Sequence, residues 1–248
     1  MKTTGKGIVI REQTVGESDR LVTLLTDDFG LIKAFVRRAK RISSAEVSGT
    51  TMFAYSTFTL YKNKNNTYTI SNASPIDVFF DLRKNLSSLS LAQYFAQLIL
   101  EFGHEEQASH EMLRLFLNAL HLLCAEAPAR DKIKAVFELR LMCLGGYMPD
   151  IVACHTCAAY ETDTMYFDTH AAVIYCENCG RGRGLVPLPL SVLTAVRFIC
   201  LSDLKKVFSF KLSAANMRLL CACTEQFVLQ RVSYDLSALK FYKEIKDE

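Results

Sequence analysis

The sequence predicts an α+β protein in which a small amino-terminal β-barrel is followed by an all-α region carrying an inserted ribbon. Three observations lead there. Up to about Leu82 the chain is rich in Thr, Val, Ile, Tyr and Phe with strand-like alternation, whereas from Arg83 onward Leu and Ala dominate at helical spacing. Two Cys-x-x-Cys pairs, Cys154/Cys157 and Cys176/Cys179, lie in the second part with 18 residues between them. With 248 residues, half of them hydrophobic, the chain can bury a substantial core, enough for one or two domains plus an insertion. The expected organisation is residues 1–82 for the barrel and 83–248 for the helices, with 151–184 inserted.

In the barrel region Gly7 to Arg11, Leu21 to Leu25 and Leu31 to Val36 are short β runs, and Asp27-Asp28-Phe29-Gly30 supplies the turn residues of a hairpin between the last two. Phe53 to Tyr61 reads as a longer strand, with Phe53, Tyr55, Thr57, Thr59 and Tyr61 on one face and Ala54, Ser56, Phe58 and Leu60 on the other. Asn63 to Asn66 turns the chain into Thr67 to Ser71. Five short strands with a basic loop between the third and fourth fit a closed barrel of the OB type; periodicity alone does not separate it from an SH3-like barrel. Ser43 to Thr51 reads as a polar, serine-bearing stretch.

The helical region carries packing stripes at Leu91, Phe95, Leu98 and Phe102, then Met112, Leu115, Phe116, Ala119 and Leu123, then Ile133, Val136, Phe137, Leu141 and Leu144. Gly145-Gly146, with Pro149 beyond, ends the third helix. Pro187 and Pro189 precede another helix near Ser191. Ser213 caps the next, which turns Leu220, Cys223 and Phe227 inward.

The paired cysteines have the spacing of a tetrahedral zinc site, because two short knuckles at this separation can face each other around one ion. Ala158 to Tyr175 has the length for two strands joined by a turn at Glu161 to Thr164, with Met165, Tyr166, Phe167, Val173 and Ile174 covering one side. Four thiolates complete the shell and leave no position for a reactive water, so a single structural Zn2+ is expected. Reduced thiols without metal, or disulfides, are the competing reading. Cys124, Cys143, Cys200, Cys221 and Cys223 sit in apolar helical runs and read as core, and His155 and His170 as bystanders. An odd total of nine cysteines, no secretory leader after Met1 and no apolar run of ~20 residues favour a reducing cytosol and no membrane span.

Charge points to a partner. The formal net charge is only +3, but Arg37, Arg38, Lys40 and Arg41 place four cations within five residues. At the end of a strand in a small barrel, such a cluster can lie along single-stranded nucleic acid, with Phe53, Tyr55, Tyr61 or Tyr68 near enough to stack on bases. A solvated loop over an aromatic core explains the same residues. Leu185 to Glu248 holds 9 Lys/Arg against 6 Asp/Glu, which fits either a groove for an acidic tail or ordinary solvated helix faces.

Gly7-Ile8-Val9-Ile10-Arg11, Gly16-Glu17-Ser18-Asp19-Arg20-Leu21, and Phe29-Gly30-Leu31-Ile32 leading into the basic run resemble the amino-terminal barrel of the bacterial RecO recombination mediators. Gly145-Gly146-Tyr147-Met148-Pro149, the ribbon and Ser237-Ala238-Leu239-Lys240-Phe241 extend the resemblance over nearly the whole chain. It implies an OB-fold domain, a helical domain and a zinc finger. The implied function is binding of single- and double-stranded DNA, strand annealing, pairing with RecR, engagement of single-strand binding protein and, indirectly, loading of RecA. The implied setting is the bacterial cytoplasm, at the nucleoid.

Signatures of catalysis are weak. The chain has no Gly-x-x-x-x-Gly-Lys phosphate loop, neither His104-Glu105 nor His110-Glu111 leads to a second histidine in the metalloprotease register, and the glycines at 180, 182 and 184 follow a metal knuckle. Gly16 to Arg20 reads as a turn in which Arg20 pairs with Glu17 or Asp19. No enzyme is expected; the alternatives are a zinc-ribbon interaction scaffold and a nucleic-acid-processing enzyme.

Overall fold

The computed structural model describes residues 2–17, 19–37, 44–63, 67–125 and 129–245. Strand β1 (Lys2–Val15) is long enough to serve two neighbours: its first half pairs with β4 (Tyr55–Lys62) and its second half with β2 (Asp19–Thr26). A register shift between Val9 and Arg11 bends it, as an extra residue in a ladder does. β3 (Gly30–Val36) continues antiparallel from β2, and β5 (Tyr68–Asp77) follows β4. The barrel closes in the order β1-β2-β3-β5-β4, with β3 and β5 joined in parallel at Ala34↔Tyr68 and Phe35↔Thr69. That order, with helix α1 (Ser44–Gly49) between β3 and β4, is an OB fold. Val9, Val22, Leu24, Ile32, Ala34, Phe58 and Leu60 fill it.

Three details differ from the sequence reading. The stretch at 43–51 contains the short helix α1, whose carbonyl at Gly49 accepts a 2.8 Å hydrogen bond from the buried Ser56 hydroxyl. Phe53 precedes β4 in a left-handed conformation (φ 66°), its N–H bonded to the Val9 carbonyl, and its ring meets Phe116 edge-on at 6.2 Å. β1 and β5 run well beyond their apolar cores because backbone pairing continues where the side chains are polar.

At the β2–β3 turn, the Thr26 hydroxyl donates to the Gly30 carbonyl (2.9 Å) and accepts from the Phe29 N–H (3.1 Å). Gly30 has φ 59°, and a Cβ there would stand 2.3 Å from the Gln107 carbonyl oxygen and 2.4 Å from that of His104. Gly30→Ala is therefore expected to lose at least the roughly 1–3 kcal/mol of a strained backbone position, read as a lower urea midpoint at unchanged slope.

The helices are α2 (Leu86–Phe102), α3 (His110–Cys124), α4 (Arg130–Leu144), α5 (Glu177–Gly180), α6 (Leu190–Leu201), α7 (Ala214–Leu229) and α8 (Ser237–Ile245). Two compact units result. One comprises residues 1–124 and 238–248, the other 125–237. In the first, Asn85 caps α2 through the Ser88 N–H, and α8 returns to α2, where the Ser90 hydroxyl donates to the Ala238 carbonyl and the Gln97 amide oxygen accepts from the Ala238 N–H.

In the second unit α4 packs against α6 and α7. Its end is a Schellman cap: Gly146 takes φ 87°, the Tyr147 N–H bonds the Met142 carbonyl at 2.8 Å and the Gly146 N–H that of Cys143 at 3.3 Å. Ser213 caps α7. Cys200 and Cys223 are buried as expected of core thiols, and Cys124, Cys143 and Cys221 partly so. Between α4 and α7 the buried Lys134 ammonium lies 2.7 Å from Glu138 and 3.0 Å from Glu225, and the Thr224 hydroxyl donates to Glu138 at 2.7 Å.

The ribbon is a three-stranded sheet, β7 (Val173–Tyr175), β6 (Thr164–Asp168) and β8 (Val186–Pro189), with β6 central. Its turn lies at 169–172, not at Glu161 to Thr164, because the Asp168 carboxylate accepts from the N–H groups of His170 and Ala171 and so folds the chain back there. Pro187 and Pro189 belong to the edge strand β8, a position that tolerates a missing donor.

Candidate metal centre and nucleic-acid interface

The first knuckle forms because Ala158 adopts φ 59°, which lets its N–H reach the Cys154 carbonyl (2.9 Å) while the Cys154 N–H bonds Ala159. The second is the start of α5, where the N–H groups of Cys179 and Gly180 both bond the Cys176 carbonyl. Gly180 has to be small: a Cβ there would meet those of Tyr166 and Tyr175 at 2.8 and 2.9 Å. The His155 N–H bonds the Ile174 carbonyl and so ties the first knuckle to β7.

These elements bring the sulfurs of Cys154, Cys157, Cys176 and Cys179 within 4.8 Å of one another, with Cys157 and Cys176 at 3.6 Å. Zn–S bonds of about 2.3 Å in a tetrahedron require sulfurs about 3.8 Å apart, so the set fits one zinc ion. Cys154 and Cys176 are buried, Cys157 is exposed and Cys179 lies between. Burial pushes the Cys154 thiol up, but hydrogen bonds from the backbone at Cys176, Cys157 and Thr156 outweigh it and bring the pKa below that of a free thiol. Hydrogen bonding to Cys176, then burial and the other two sulfurs, push Cys179 up. Sulfurs this close resist ionising together, and a central divalent cation removes that resistance. Neither histidine joins the set among the described residues. The His155 ring rests edge-on against Tyr175, and His170 lies in the β6–β7 turn.

Two arginines that the sequence reading missed fasten the ribbon to the helices. Arg197 on α6 donates to the carbonyls of Ile151, Val152 and Tyr160 at 2.8–2.9 Å, pairs with Glu161 at 2.7 Å and lies 4.3 Å above the Tyr160 ring. Arg231, just beyond α7, donates to the carbonyls of Thr169 and His170 and stacks on Phe227 at 3.8 Å. A charged residue inside the apolar run of α6 was the available signal. The cations beside the thiols are engaged on the ribbon itself: Arg181 pairs with Glu177 and Arg183 lies over Tyr175.

Of the expected nucleic-acid contacts, Arg37 is exposed at the end of β3; Arg38, Lys40 and Arg41 lie outside the described residues. Arg37 also lines a shallow cleft with Val36, Thr50 and Ile70 to Ala73. Arg20 turns to Glu12 (3.7 Å) and the Thr50 hydroxyl (2.8 Å). Phe53 and Tyr68 are buried, Tyr55 is half-buried and Tyr61 is 45% exposed. No helix among the described residues is long and apolar enough to cross a membrane.

Residues 1–79 match the family described as "Recombination protein O N terminal" and residues 83–240 that described as "Recombination protein O C terminal". A protein of Acetivibrio thermocellus named "DNA repair protein RecO" is 31% identical over 98% of this chain and 96% of its own length. Proteins of the same name from Alkaliphilus metalliredigens and Clostridium novyi are 27% and 24% identical, over 93% and 97% of this chain and 95% and 93% of theirs.

Proposed function

This chain belongs to the recombination protein O family, and from that premise we propose that it is a DNA repair and recombination mediator that binds single- and double-stranded DNA and anneals complementary strands. With RecR it helps load the recombinase RecA, and it engages single-strand binding protein in the bacterial cytoplasm, at the nucleoid. The observation that carries this reading is the family match along nearly the whole chain. The closed OB barrel supports it, since this fold offers its second and third strands to oligonucleotides.

In this reading residues 1–82 are the nucleic-acid module and 83–248 the helical body, with 151–184 as its zinc finger. Arg37, Arg38, Lys40 and Arg41 contact phosphates. Neutralising phosphates on two strands lowers their mutual repulsion and lets them pair. The four cysteines hold one structural zinc, which cross-links the knuckles and leaves the chemistry of the strands untouched. The protein acts by binding, not turnover.

Changing all four cations to Ala is expected to weaken single-strand binding and slow annealing. The slope of log affinity against log salt should become shallower by about 3, at roughly 0.7 for each lost phosphate contact. Fluorescence anisotropy over a salt series measures it. Unchanged affinity and slope would remove this loop from the account, and a processed DNA product would replace the mediator with an enzyme.

A further inference from the structure

Strand register sets out a row of side chains on the outside of the barrel. Val22, Leu24, Ile32, Ala34, Val36, Leu60 and Tyr68 point into the core, so their neighbours Leu21, Phe35, Thr69 and Tyr61 point outward. The pairs Leu21↔Phe35, Phe35↔Thr69 and Tyr61↔Thr69 make these four one continuous row across β2, β3, β5 and β4. Phe35 and Tyr61 thus flank the small Thr69, roughly 10 Å apart at two strand spacings.

The row is open and cationic at its edges. The 103–107 loop covers the other end of the hairpin, where Glu105 bridges to Gly30 and Leu31 and pairs with Lys33. Leu21 and Phe35, towards the opposite end, stay partly exposed, and Tyr61 is 45% exposed. Among the described residues neither the Phe35 nor the Tyr61 ring has an aromatic or cationic partner. Lys2 stands opposite Tyr61 in the register, and exposed Arg37 lies two residues beyond Phe35, where the basic run begins. Aromatic rings beside cations on a β-surface match the faces and phosphates of unpaired bases; the same rings have nothing to meet in a duplex, whose base faces are already stacked.

We infer that Phe35 and Tyr61 form a stacking platform for the bases of single-stranded DNA and so bias the barrel toward unpaired strands. This rests on the DNA-binding reading above and adds to it the residues that distinguish single strands from duplex. Phosphate contacts then set the salt dependence, and the two rings set the preference.

The test is anisotropy with labelled oligothymidylate, a duplex, and an abasic strand with the same number of phosphates. Tyr61→Ala should weaken oligothymidylate binding roughly 5- to 150-fold, the range for loss of one stacked base, with the salt slope and duplex affinity unchanged. The abasic strand should bind the variant and the unaltered protein alike. Phe35→Leu, which keeps apolar bulk but removes the ring face, should act in the same direction. If both variants bind oligothymidylate as the unaltered protein does, while the four-cation variant loses affinity, the platform is refuted and DNA binding stands. If the unaltered protein retains no oligonucleotide even in dilute buffer, the DNA-binding reading fails and the platform with it.

Discussion

Cys176→Ser is expected to release the metal and loosen the ribbon, with the largest effect on stability of any single change considered for this chain. Metal binding at four-thiolate sites carries folding free energy on the order of 10 kcal/mol, and the two knuckles themselves have only one three-stranded sheet and a four-residue helix beside them, although Arg197 and Arg231 keep the ribbon's other segments tied to the helices. Cys176 is buried, its sulfur lies 3.6 Å from that of Cys157, and its carbonyl organises the second knuckle. The variant should purify with substoichiometric zinc and be cut by protease within residues 151–184, while strand binding falls only indirectly. Metal content and limited proteolysis under reducing conditions check this. Stoichiometric zinc in the variant, or none in the unaltered protein, would refute the assignment.

Lys134→Met is expected to destabilise the second unit by about 3–5 kcal/mol, the usual consequence of leaving a buried charge uncompensated. Lys134 is 3% exposed and Glu138 0%. Burial by itself lowers the lysine's pKa, but the attraction of Glu138 and Glu225 outweighs that and raises it above the ordinary value of 10.5. A raised lysine pKa means that its contribution is complete below 10.5 and is lost as the pH climbs through the higher folded value. The group therefore adds no pH dependence near neutrality and a loss at strongly alkaline pH. Denaturant unfolding measures both effects. The double variant Lys134→Met/Glu138→Leu should recover most of the deficit, since apolar replacement of a whole buried pair is commonly tolerated.

What could be read from the chain depended on how local the encoding is. Cys154, Cys157, Cys176 and Cys179 announce their cluster because each knuckle is built within four residues, and spacing alone brings its sulfurs together. The strands of the barrel are legible where one face is buried, as at Phe58 and Leu60, and illegible where polar residues keep pairing, as over Lys2 to Lys6. Alternation places Phe53 in the strand because it cannot register a left-handed residue that turns its ring toward Phe116. The β6–β7 turn escapes the sequence pattern because Asp168 looks like any strand residue until its carboxylate caps the backbone. Lys134, Arg197 and Arg231 take partners from distant elements, Glu225, Ile151 and Thr169 among them, and the only local mark of any of the three is the apolar run of α6 around Arg197. Tyr61 stands among the stacking candidates that the sequence offers, but its alignment with Phe35 in one outward row exists only once the register of four strands is known.

The return of α8 to α2 sets an order of events during synthesis. Leu239 and Tyr242 are buried and Ala238 is hydrogen-bonded to Ser90 and Gln97, so the barrel's unit is incomplete until α8 has been synthesised. At elongation rates of about 5–20 residues per second, that is roughly 5–25 s after Cys124 has been added. The α2 surface that receives α8 stays uncovered meanwhile. A chain that stops short of α8 therefore leaves Ser90 and Gln97 without their bonds to Ala238 and that side of α2 open to solvent.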